Sequence, residues 1–193
     1  MRTAASNKYL LFNKPYGVLS QFTSDDGADL SQFNLPSDVY AVGRLDKDSE
    51  GLLLLSNDGK FQQSFLKNHS RVYWVQVDGD ISEQAIHELQ QGVLIKGGHK
   101  TLPCKVKKIA NQEDVFGPRI PPVRFRKNIP TSWIEIELLE GKNRQVRRMT
   151  AKVGFPTLRL IRVGIGQYHL CDAEGRVAFK SGECISITLK SLI

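Results

Sequence analysis

Gly43-Arg44-Leu45-Asp46-Lys47-Asp48-Ser49-Glu50-Gly51 runs straight into Leu52-Leu53-Leu54-Leu55-Ser56-Asn57-Asp58-Gly59. Four leucines are too few to cross a bilayer. Turn residues bound them on both sides, so they read as a strand buried on both faces. Asp46 then sits on a loop anchored by the core, and loops held by a rigid scaffold are where catalytic side chains concentrate. Arg44, two residues earlier, is placed to keep such a carboxylate ionised. Taken alone, a solvated turn with an ordinary aspartate is the simpler reading, because a short motif is only a hypothesis.

Tyr9-Leu10-Leu11-Phe12-Asn13 is a short apolar run closed by Lys14-Pro15-Tyr16-Gly17, a first strand and a tight turn. Residues 23–38 read as a loop of weak structure leading to a strand at Tyr40-Ala41-Val42. Phe61, Phe65 and Leu66 fit a short helix, and Val72 to Val77 alternate like a half-buried strand. Ser82 is placed to cap a helix through Ala85, Ile86 and Leu89 that stops at Gly92. Strands are expected through 93–96 and 104–110. Val115 to Pro130, with four prolines and Arg119, Arg124, Arg126 and Lys127, reads as an extended basic loop able to lie along a phosphate backbone. Trp133 to Leu139 alternates with Ile134, Ile136 and Leu138 inward. From Asn143, Val146, Met149 and Val153 share one helical face while Arg144, Arg147, Arg148 and Lys152 take the others. That helix is an ordinary surface helix or a basic binding helix, and its pattern does not decide. Leu158 to Val163 and Cys184 to Leu189 read as strands with a hairpin between them. The element types together make an α+β chain.

The 193 residues suffice for one sizeable core or two tightly joined lobes. An apolar share of 40% and a charged share of 24% belong to a soluble, ordered protein. Neither a signal-peptide core nor a membrane span is visible, so the expected location is cytoplasmic. Cys104, Cys171 and Cys184 have no Cys-x-x-Cys pairing and read as small core residues, and His87 and His99 as surface or capping residues. No metal and no cofactor is expected. The net charge of +7 is uneven: residues 1–96 hold 9 Lys/Arg against 12 Asp/Glu, and residues 97–193 hold 18 against 8. Between Arg119 and Arg162 stand 11 basic and 3 acidic residues, an excess that suits a polyanion and fits a solubilising face equally well.

Gly43-Arg44-Leu45-Asp46 with Gly51 to Gly59, taken together with Glu140-Gly141-Lys142-Asn143-Arg144-Gln145-Val146-Arg147-Arg148-Met149, resembles the RsuA-type ribosomal RNA pseudouridine synthases. Asn13-Lys14-Pro15-Tyr16-Gly17 is similar to the family's first motif, and Tyr73 stands where its active-site tyrosine does. The resemblance runs from about Tyr9 to the C-terminus and is strongest to the short branch that lacks a small S4 RNA-binding domain and acts on 23S ribosomal RNA. Ser49 replaces a more usual Thr, and Arg71 a more usual Lys.

The resemblance implies an α/β pseudouridine synthase fold. Two lobes, approximately residues 1–60 with part of the C-terminal strands and residues 61–193, would share a mixed, mostly antiparallel sheet with the catalytic cleft between them, all in one catalytic domain. It implies an isomerase that converts one uridine of large-subunit ribosomal RNA, free or in an assembly intermediate, to pseudouridine; it leaves the oligomeric state open, with a monomer as the default. Asp46 would be the essential carboxylate, Arg147 its partner, and Tyr73 the residue stacked on the base and a candidate to help remove its C5 proton, a task for which a phenol of pKa about 10 is a weak base unless its surroundings change it. Arg44, Lys14, Arg124, Arg126, Arg144 and Arg148 are the candidates for phosphate contacts, with Lys14 alternatively bracing the turn at Pro15. The rival readings are a non-catalytic RNA-binding or ribosome-assembly factor of the same fold and an acid/base hydrolase pairing Asp46 with Asp48 or Glu50.

Overall fold

The four-leucine run forms the strand expected of it. The computed structural model describes residues 7–25, 27–123 and 129–188. In chain order the first strands are Tyr9–Lys14 (β1), Tyr40–Val42 (β2) and Glu50–Ser56 (β3). Leu52, Leu53, Leu54 and Leu55 of β3 expose no surface at all. Each leucine taken wholly out of water contributes about 1.5–3 kcal/mol before entropy is set against it, so this strand anchors whatever precedes it.

The chain forms two compact units, Met1–Asn68 with Ala178–Ile193, and His69–Val177. In the first, β1 pairs antiparallel with β3, Leu11 opposite Leu54, and on its other edge with a short strand near the C-terminus, Leu11 opposite Ile185. The β2 strand lies antiparallel to the end of β3, Ala41 opposite Leu55. Leu10, Phe12, Leu53 and Leu55 pack with Val18, Leu30 and Val39 into this unit's core. The expected weak loop at 23–38 is better built than its composition suggests. Asp29 Oδ1 accepts from the Ser31 N–H (2.8 Å) and caps a 3-10 turn at Leu30–Gln32, which buries Leu30 completely. Helix α1, Gly59–Asn68, starts at Asp58, whose Oδ1 accepts from the Phe61 N–H (3.1 Å) and whose Oδ2 accepts from the Tyr9 hydroxyl (2.8 Å). Those donors hold the Asp58 carboxyl below its ordinary range.

The second unit contains, in order, Arg71–Asp78 (β4), Glu83–Gln91 (α2), Leu94–Ile95 (β5), His99–Lys100 (β6), Lys105–Ile109 (β7), Glu113–Phe116 (α3), Thr131–Leu138 (β8), Gln145–Lys152 (α4), Thr157–Ile165 (β9) and Tyr168–His169 (β10). Cys184–Ser186 (β11) completes the list back in the first unit. The strands here lie in the order β9-β4-β8-β7, antiparallel throughout, with β10 folded back on β9 and β5 hairpinned to β6. Ile134 and Ile136, expected inward, expose nothing, and Leu138 is buried with them. They pack with Val75 and Val77 against Ala85, Ile86 and Leu89 of α2 and Val146 and Met149 of α4. Ser82 Oγ accepts from the Ala85 N–H (3.2 Å), the expected cap. Gly92 ends α2 at φ 80°, and a Cβ there would stand 2.2 Å from the Thr101 carbonyl oxygen, so only glycine fits.

Two expectations need correction. The Val115–Pro130 stretch is not extended from its start: Val115 and Phe116 close the helical turn α3, where Phe116 docks edge-on against Trp74 at 5.6 Å. Arg119 in its described part donates to the carbonyls of Pro121 (2.8 Å) and Pro122 (3.1 Å), bracing the loop. The three cysteines are half-buried, not core, with free thiols that burial pushes up to about 11 for Cys104 and Cys171. Among the described residues no helix is long and apolar enough to cross a membrane, and no group of three or more His, Cys, Asp and Glu is placed to hold a metal.

Candidate active site

Asp46, Arg44 and Lys14 belong to the first unit, and Tyr73, Arg144, Arg147 and Arg148 to the second. Asp46 is half-buried on the loop between β2 and β3, with Arg44 exposed beside it. The loop is tightly held. The Ser49 N–H donates to the Asp46 carbonyl (3.1 Å), the Gly17 N–H to the Lys47 carbonyl (2.8 Å), and Leu45 is buried between two bonds to Ser20. Ser49 Oγ is buried and finds no hydrogen-bond partner among the described residues.

Lys14 takes the turn-bracing alternative. It is fully buried, and its Nζ donates to the carbonyls of Val18 (2.6 Å) and Pro15 (2.9 Å). An ammonium so enclosed is not offered to a phosphate at the surface, which corrects its expected role as a phosphate contact. Arg124 and Arg126 lie outside the described residues.

In the second unit, Tyr73 on β4 stands opposite Ile136 of β8 and Arg162 of β9. It is half-buried and packs on the apolar cluster beneath it. Arg162 is buried and hydrogen-bonded to Tyr73. Burial pushes the Arg162 guanidinium below its usual value, Tyr73 works against that shift, and the neighbouring Arg71 adds to it. Arg162 is a functional candidate that the reading of the sequence leaves unassigned. Its signal was present: arginine inside the apolar run Leu158 to Val163 is rarely buried without a partner.

Helix α4 carries the basic residues as expected, with Val146 and Met149 inward. Arg147 is half-buried, and one of its terminal nitrogens donates to the Thr157 carbonyl (3.5 Å). Arg148 donates to Asn143 Oδ1 (3.0 Å), and Arg144 is exposed. The helix entry is locked in an unusual way, because Arg144 stands in the left-handed region at φ 51°, ψ 35°. Gln145 holds that turn: its Oε1 accepts from the Lys142 N–H (2.9 Å) and its Nε2 donates to Glu140 Oε1 (2.8 Å). Glu140 also accepts from the Leu102 N–H (2.9 Å) and lies 3.0 Å from His99 Nε2. Burial alone would raise the Glu140 carboxyl, but the donors from Leu102, His99 and Gln145 outweigh it and hold the carboxyl below its ordinary range. His99, expected at the surface or in a cap, therefore has a carboxylate partner far away in sequence.

The arrangement offers one loop-anchored carboxylate, a tyrosine against a buried guanidinium, and a clamped basic helix. A family model described as RNA pseudouridylate synthase matches residues 8–152. A ribosomal large subunit pseudouridine synthase E of Vibrio parahaemolyticus is 51% identical over 173 residues, covering 88% of this chain and 71% of that one. Its namesake in Xanthomonas campestris pv. campestris is 47% identical over 171 residues, covering 86% of this chain and 90% of the relative. Among solved structures, a crystal structure of a pseudouridylate synthase aligns over 95% of this chain and 71% of its own, with a TM-score of 0.75 and 25% identity.

Proposed function

The chain belongs to the RNA pseudouridylate synthase family, and on that premise we propose that it isomerises one uridine of large-subunit ribosomal RNA at a site built around Asp46. The observation that carries this reading is the 51% identity, over 88% of the chain, to a relative named for that activity. The chain acts as one catalytic domain and as a monomer, in the cytoplasm, on free RNA or on an assembly intermediate.

The reaction breaks the N1–C1′ bond of uridine, turns the base and joins C5 to C1′, with the C5 proton lost and a proton gained at N1. Electrons balance within the nucleotide, so the residues supply all that is required: a carboxylate, charge stabilisation and a rigid pocket. Asp46 acts in its ionised form, by adding to C1′ or by taking a ribose proton, and Arg147 is assigned as its charge partner. Tyr73 stacks on the base. A ribose carbon inside a stacked helix is out of reach of any side chain, so the uridine is flipped out, at a cost of a few kcal/mol that a loop or bulge reduces. Arg44, Arg144 and Arg148 hold the flanking phosphates.

The test is tritium release from C5-labelled uridine in unmodified large-subunit ribosomal RNA, with RNA affinity measured in parallel. Native protein releases tritium, while Asp46→Asn binds RNA within about threefold of native and releases none. Undiminished release by Asp46→Asn would remove Asp46 from the mechanism.

A further inference from the structure

We infer that Ser20 is a positioning residue for Asp46, clamping the backbone on which the carboxylate is mounted. This inference rests on the proposed role of Asp46.

Ser20 Oγ donates to the Leu45 carbonyl (2.8 Å) and accepts from the Leu45 N–H (3.1 Å), so one hydroxyl grips both polar groups of the residue before Asp46. Ser20 and Leu45 are both buried, so water does not compete for either bond. The residue after Asp46 is gripped from the same turn, through the Gly17 N–H on the Lys47 carbonyl (2.8 Å). That turn is made rigid by Lys14, whose Nζ ties together the carbonyls of Pro15 and Val18. The Asp46 carbonyl is itself held by the Ser49 N–H (3.1 Å). The backbone dihedrals that aim the Asp46 Cα–Cβ bond are thus fixed from both sides, and Ser20 is the only side chain gripping the preceding residue among the hydrogen bonds described. All these residues lie in one unit, so the clamp exists before any substrate arrives. A carboxylate that must meet a single ribose atom benefits from such mounting, because misplacement by an ångström costs about 100-fold in rate.

The experiment compares Ser20→Thr with Ser20→Val, which have the same bulk and differ in the hydroxyl. Ser20→Ala and Asp46→Asn are measured beside them for kcat and KM of tritium release and for the midpoint of thermal unfolding. Ser20→Thr is expected within about threefold of native kcat. Ser20→Val and Ser20→Ala are expected to lose about 10- to 100-fold in kcat with KM unchanged, since the loop still meets the RNA but aims its carboxylate badly. Equal kcat for Ser20→Thr and Ser20→Val, with Asp46→Asn inactive, would overturn the inference and leave Asp46 as the carboxylate. Native activity in Asp46→Asn would overturn the reading beneath it. If Ser20→Ala and Ser20→Val do not fold, Ser20→Cys, which keeps a weak donor of similar size, is expected folded with a reduced kcat; native kcat in that variant would overturn the inference.

Discussion

Ser49 and Tyr73 are placed in opposite ways: one buries a hydroxyl with no partner among the described residues, the other holds a buried guanidinium. Ser49, whose N–H holds the Asp46 carbonyl, buries a hydroxyl that has no hydrogen-bond partner among the described residues. An unsatisfied buried hydroxyl costs about 1–3 kcal/mol, so Ser49→Ala should raise the unfolding free energy by about 1 kcal/mol in a urea titration. A loss of stability would show that the hydroxyl has a partner in solution. Tyr73 presents the opposite case, because its phenol is bound to the buried Arg162. Tyr73→Phe removes a hydrogen bond to a charged group and should cost about 1.5–3 kcal/mol, read from urea unfolding without RNA. An unchanged midpoint would separate the two side chains. The anchored loop that carries Asp46 was legible from the leucine strand after it, while the role given to Asp46 comes from the family resemblance and not from that pattern. Ser20 was not, since a hydroxyl gripping a backbone 25 residues away leaves no periodicity to read.

At the scale of the element, the entry to α4 is a polar lock. Arg144 holds a left-handed backbone that an arginine adopts only under constraint, and Gln145 and Glu140 supply that constraint. The Glu140 carboxyl lies below its ordinary range in the folded state. The stability it adds is therefore present above the unfolded carboxylate value and is lost as pH falls through the depressed folded one. Glu140→Gln should lower stability near neutral pH by about 1–2 kcal/mol, and the gap to native should close on acidification. A gap constant with pH would exclude Glu140 ionisation as its source. The helix itself was plain from Val146, Met149 and Val153, and the Ser82 and Gly92 boundaries of α2 were read from capping chemistry alone. The lock was hidden because His99, Leu102 and Glu140 meet only through tertiary structure. The helical turn at Glu113–Phe116 was missed for the same reason: Trp74 decides it, and propensity does not.

Over the whole molecule, the composition shows a charge imbalance and the family supplies its meaning. Residues 97–193 hold 18 Lys/Arg against 8 Asp/Glu, yet several of those arginines are engaged by the protein itself. Arg159 is buried and donates to the Gly117 carbonyl (2.7 Å), Arg162 is buried against Tyr73, and Arg119 braces its own loop. Charge counting thus overstates the surface available to RNA. Arg144, exposed at the start of α4, is a better candidate. Arg144→Ala should weaken RNA binding and reduce the slope of log affinity against log salt by about 0.7, the value for one phosphate contact on single-stranded RNA. An unchanged slope would remove it from the interface.

The proposed reaction leaves one pseudouridine in large-subunit ribosomal RNA and depends on Asp46. The most direct test maps pseudouridine by carbodiimide-dependent reverse-transcription stops in large-subunit RNA from cells deleted for the gene and complemented in turn. One stop is expected to be lost on deletion, restored by the native chain and not restored by Asp46→Asn. An unaltered pattern of stops on deletion, or restoration by Asp46→Asn, would contradict the proposed reaction.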